Sequence, residues 1–147
     1  MSEFSITSPD FEEGGEIPKK FGYKHGNETP RIELHNVLEN VITRGHTIAL
    51  IMDDPDAMAA VGKVWVHWLF YNNGGQFPRN TVSGKTDFGE IGYGGPAPPD
   101  KRHTYIFKVY ALDAYLDLKE GYSKQELEDA MKGHIIAEAK LTGTFAP

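Results

Sequence analysis

Three apolar runs of strand length, each bounded by loops rich in glycine and proline, constrain this chain more than any other feature. Residues 46–53, "HTIALIMD", are nearly continuous in apolar character, the signature of a strand covered on both faces. Residues 63–72, "KVWVHWLFYN", and His103–Leu112, "HTYIFKVYAL", are β-branched and aromatic, which suits a pleated and packed surface. Sixteen glycines and nine prolines collect in segments such as "EEGGEIP", "NNGGQFP" and "GYGGPAPPDK". The pattern predicts a mainly β fold in a single domain spanning residues 1–147. A fourth segment, "SKQELEDAMKGHIIAEAKLTG", predicts a C-terminal helix. Ser123 and Glu126 form a capping box, Leu127, Met131, Ile135 and Leu141 fall near one face, and Gly143 ends it, with Gly133 an unfavourable interior residue.

Composition narrows the function classes. A formal net charge of −6 disfavours non-specific nucleic-acid or anionic-membrane binding, which needs a basic face. Any bound anion must therefore be captured by a local arrangement. The absence of cysteine excludes disulfides and thiolate metal sites. No apolar run approaches the length of a membrane span, and the first residues do not read as a signal peptide. A soluble, cytoplasmic protein without membrane insertion is the expectation.

The polar residues embedded in these runs raise the functional question. "DDPDA" places Asp54 and Asp56 at a strand end, where Asp-Pro-Asp is also ordinary turn chemistry. Alternation puts Trp65, His67 and Leu69 on one face of their strand, and His103 and Tyr105 on one face of theirs. A histidine between apolar neighbours needs a partner for each ring nitrogen, so a hydrogen-bonded core role competes with a functional one. His25, His35, His46 and His134 read as surface or packing residues. Three chemistries fit the combined set. A metal could take two histidines and a carboxylate, although no metal-ligand spacing motif is present. An Asp–His pair could activate a nucleophile, although Ser83 has no evident base. An anion could be held without turnover by the amides of "GYGGPAPP", imidazole N–H and tyrosine O–H, with an aspartate orienting a histidine.

Taken in order, "DDPDA", "WVHW" and "DFGEIGYGGPAPP" followed by "HTYIFKVYALD" resemble the phosphatidylethanolamine-binding protein family, in its bacterial and archaeal Raf kinase inhibitor-like branch. The resemblance covers nearly the whole chain. It implies one large and one small antiparallel sheet with a C-terminal helix. It also implies a small anion pocket formed by Asp54, Asp56, Trp65, His67, Gly95, Ala97, His103 and Tyr105. On this reading the chain binds a small anionic, phosphate-bearing ligand without catalysis, cofactor or metal, and affinity falls as pH rises through a histidine pKa. Regulation of a protein partner, as a kinase or protease inhibitor acting through surface loops, is the alternative; a weak hydrolase or metal enzyme is a third. Homodimerisation is a further implication. Two departures bear on ligand preference: Met58 replaces the family's proline after "DPDA", and Thr104 replaces its usual arginine.

Overall fold

The computed structural model describes residues 4–37, 47–74 and 80–147. Among these residues eight strands form two sheets: β1 Ser5–Thr7, β2 Gly15–Glu16, β3 Glu33–His35, β4 Thr47–Asp54, β5 Trp65–Asn72, β6 Val82–Ser83, β7 His103–Leu112 and β8 Ile135–Phe145. The large sheet has the order β2-β8-β7-β4-β5-β6, and β1 pairs with β3 in the small one. Every pairing is antiparallel except the two-residue contact of β2 with β8. The first expected strand begins at Thr47; His46 lies outside the described residues, as does part of the "NNGGQFP" loop.

β4 sits at the centre and all eight of its residues are buried. One face contributes Ile48, Leu50 and Met52 to a core with Trp68, Phe70, Phe107 and Val109. The other contributes Ala49 and Ile51 to a second core with Leu69, Tyr71, Leu112 and Leu127. A strand buried on both sides has no polar face to show, which is why its sequence does not alternate. Each such side chain contributes roughly 1.5–3 kcal/mol by leaving water. β7 does alternate: positions 103, 105, 107, 109 and 111 point inward.

Among the described residues are two short α-helices, α1 over Ala57–Val61 and α2 over Lys124–Met131. The capping box at the start of α2 is formed, with Ser123 and Glu126 each satisfying the other's backbone N–H. The expected helix to Gly143 is not. Gly133 adopts φ +82°, and the chain leaves the helix there to enter β8. Leu141 and Phe145 are buried with a period of two against β7, so the apolar spacing that suggested one helix face belongs to a strand.

Candidate functional site

The β4–β5 ladder carries one irregularity, and it aims a side chain. Met52 faces Trp68 and Asp53 faces Val66, which leaves His67 without an opposite residue. This bulge breaks the alternation expected along β5. Trp65 and His67 reach one cavity, whereas Leu69 turns to the second core with Ile51 and Leu127. Leu69 therefore does not share the histidine's face.

The cavity has a volume of about 270 Å³. Asp54, Trp65, His67, Ala97, His103 and Tyr105, six of the eight residues singled out by the sequence, line it. Ala57, Val61, Phe88 and Pro99 supply apolar wall, and Tyr23 and Lys24 stand at its edge. Phe88 meets Trp65 and His67 edge-on at 5.6 and 5.5 Å, and stacks on Tyr23 at 3.9 Å.

Asp56 and Gly95 are not among the lining residues. Asp56 is exposed beyond the DPD turn, where its carboxylate accepts the Thr104 N–H at 2.8 Å. It thus anchors the start of β7, at the residue where the family usually has arginine. The Gly95 N–H donates to Asn27 Oδ1 at 2.7 Å, and its backbone also bears on the His67 ring. The expected nest of loop amides is not formed either. Gly92 and Gly94 donate to the carbonyls of Gly84 and His67, and three residues of the loop are prolines without an N–H. Ala97 and Pro99 are the loop residues that line the cavity.

His103 is fully buried and both its ring nitrogens are engaged by carboxylates: Nδ1 with Asp54 Oδ2 at 2.6 Å, Nε2 with Asp100 Oδ1 at 2.7 Å. Two acceptors require two N–H donors, so the ring is an imidazolium. Burial alone would lower its pKa, but the two carboxylates outweigh that and hold it above the ordinary value. His103 is therefore no free donor to a ligand; it braces Asp54. His67 is different. Its Nδ1 donates to the Gly94 carbonyl at 2.7 Å, and burial lowers its pKa, with Gly94 and Asp54 opposing only in part. Nδ1 therefore carries a proton.

Two buried side-chain polar atoms have no hydrogen-bond partner among the described residues, and both belong to this cavity: Trp65 Nε1 and Tyr105 Oη. Burial raises the Tyr105 pKa far above its ordinary value, the nearby Asp54 carboxylate adds to that and the Ala97 N–H opposes it, so the hydroxyl keeps its proton. Buried polar groups are nearly always paired, and an unpaired one costs about 1–3 kcal/mol.

No group of three potential metal-ligating side chains occurs among the described residues. Ser83 lies on β6 and does not line the cavity of the two histidines. Lys24, Phe88 and Asp100 were not singled out in the sequence. Asp100, three residues before His103, had a local signal in its spacing; Lys24 and Phe88 are brought in only by the fold.

The model of the family described as phosphatidylethanolamine-binding protein matches residues 7–146. The chain belongs to the phosphatidylethanolamine-binding protein family. Its relatives include a UPF0098 protein of the archaeon Methanothermobacter thermautotrophicus, 37% identical over 92% of this chain and 93% of that one. A UPF0098 protein of Chlamydia muridarum is 38% identical over 95% and 97% of the two chains. Among solved structures, a phosphatidylethanolamine-binding protein homologue of Chlamydia trachomatis is similar at a TM-score of 0.87 and 35% identity, covering 98% and 97%. YbcL of E. coli, described as a member of the mammalian family, is similar at 0.84 and 28%, covering 98% of each chain. The phosphatidylethanolamine-binding protein fold is therefore the fold of this chain.

Proposed function

We propose that this chain binds small phosphate-bearing anions in the cavity between β4, β5 and β7 without turning them over. The observation that supports it is the pair of unpartnered donors, Trp65 Nε1–H and Tyr105 O–H, in one cavity. An oxyanion satisfies both at once. Lys24 at the edge adds a positive charge, and the Asp54–His103–Asp100 chain fixes the polar wall. Pre-placed donors of this kind bind without reorganising the protein.

Replacement of Tyr105 by Phe tests this reading directly. An ordinary structural hydroxyl stabilises the fold, so its loss weakens it. An orphan hydroxyl kept for a ligand does the opposite. Tyr105→Phe is expected to weaken inorganic phosphate binding by roughly 1.5–3 kcal/mol, the worth of a hydrogen bond to a charged group. The unliganded chain is expected to be no less stable in chemical denaturation. Unchanged phosphate affinity, or a loss of stability without ligand, would count against the proposal.

Histidine NMR signals supply a second check. On titration with phosphate near pH 6, His67 is expected to shift in a saturable manner. His103, with both nitrogens held by carboxylates, is expected to shift far less. Equal shifts at all histidines would indicate non-specific binding.

A further inference from the structure

We infer that Asp87, which does not line the cavity, is its positioning residue: the Asp87 carboxylate holds the β5 bulge that lets Trp65 and His67 face a ligand. The placement stands on geometry alone, and its consequence for binding rests on the anion reading above.

A regular strand cannot show both His67 and Trp68 to one side, because neighbours alternate. Trp68 packs in the core with Met52, Phe70 and Tyr105, and His67 reaches the cavity that Tyr105 also lines. Val66 and Leu69, on either side of this pair, pack in the second core. Two consecutive residues share a face here because the bulge inserts one of them. A bulge also disrupts the ladder bonds around it, so the segment must be held from its other edge.

β6 does not hold it, since that strand pairs with β5 only at Phe70 and Tyr71. The loop of residues 84–95 does. Asp87 takes Val66 at both ends: its Oδ2 accepts the Val66 N–H at 2.7 Å, and its own N–H donates to the Val66 carbonyl at 3.0 Å. One residue thus supplies both bonds that a neighbouring strand would supply, and the acceptor is a side chain. The carbonyl of the next residue, His67, takes the Gly94 N–H at 2.8 Å. Asp87 Oδ1 accepts from Lys63 Nζ at 2.8 Å, and that ammonium lies 5.8 Å from the centre of the Trp65 ring. The residue that follows is Phe88, the wall that meets Trp65 and His67 edge-on. Asp87 therefore reaches the cavity through the bulge, through Lys63 and through Phe88, without touching what binds there.

Two substitutions separate geometry from charge. Asp87→Asn removes the charge and keeps an oxygen for the Val66 N–H, while the exposed Lys63 turns to water. Asp87→Glu keeps the charge and displaces both oxygens by one methylene. In the unliganded chain, the NMR signals of the Trp65 indole and the His67 ring are expected to stay near their wild-type positions in the Asn variant. In the Glu variant they are expected to move, while His103, held between Asp54 and Asp100, does not. Inorganic phosphate is expected to bind the Asn variant at least as tightly as the wild type, because a negative charge has left the neighbourhood of the anion. The Glu variant is expected to bind it about tenfold more weakly, since binding groups tolerate displacements of only about 0.5 Å. Trp65 and His67 signals unmoved in the Glu variant would overturn the inference, as would signals displaced as far by Asn as by Glu. The reverse order of phosphate affinities would overturn it too, because Asp87 would then act through its charge. A wild type that takes no phosphate would remove the anion reading, and the signals of the unliganded variants would still decide the placement.

Discussion

Replacement of Gly95 by alanine is expected to cost about 3 kcal/mol of stability or more, the largest effect of any single methyl group near the cavity. A Cβ at this position would lie 2.0 Å from the Phe21 carbonyl oxygen and 2.9 Å from the Tyr23 amide nitrogen. Both are backbone atoms, so no side-chain rotation relieves the clash. The two segments that meet here are tied closely: Tyr23 N–H donates to the Pro96 carbonyl at 2.9 Å, Tyr93 O–H to the Phe21 carbonyl at 2.8 Å, and Asn27 takes the Gly95 N–H. Separating them breaks several of these bonds together, and it moves Tyr23 and Lys24, which edge the cavity. Chemical denaturation and phosphate titration should therefore both respond. A Gly95→Ala variant within 1 kcal/mol of the wild type would show that the segments are not held as closely as described. The glycine matters to the site from behind, through the residues it allows to approach, and not by touching a ligand.

Gly95 also shows what the sequence can and cannot disclose. Its place in a glycine-proline loop next to β7 was legible, and so was its family motif. Its reason was not, because Asn27 stands 68 residues away and carries no local signal. The same division runs through the rest of the chain. The runs that became β4, β5 and β7 were legible because apolar continuity and β-branching are properties of the segment itself. The bulge at His67 was not, since a bulge is a relation between two strands and appears only when β5 is set against β4. Capping at Ser123 and Glu126 was local and was legible; the end of α2 was misread because Ile135 and Leu141 fit a helical face as well as an alternating strand. Gly133, recognised as unfavourable inside a helix, is where the chain turns. For the cavity, six of eight residues were brought together, and His103 meets a second carboxylate, Asp100, that the sequence reading did not pair with it.

That second partner makes removal of His103 the other large expected effect. His103→Ala is expected to destabilise the chain by about 3–5 kcal/mol, the cost of leaving a buried charge without its counter-ion. The two carboxylates will not share this equally. Asp100 has 40% of its side chain exposed and can turn to water, whereas Asp54 is 4% exposed and is left, among the described residues, with the Asp56 N–H at 3.0 Å and the nearby Tyr105 hydroxyl. Asp54 thus carries most of the cost. A double variant lacking both Asp54 and His103 is accordingly expected to be little worse than His103→Ala alone, because the second change removes the stranded charge. The pH dependence separates this from a mere loss of packing. The folded-state pKa of His103 is raised, so its contribution is complete below the unfolded value of about 6.5 and is lost as pH rises through the folded value. His67 is lowered, so its contribution is complete above about 6.5 and is lost as pH falls through its folded value. Denaturation of the wild type across this range should show its histidine-linked stability greatest between the two folded values and falling on either side. In His103→Ala the decline on the alkaline side should disappear while the acid side remains. If the alkaline decline persists in the variant, the imidazolium held between Asp54 and Asp100 is not its source.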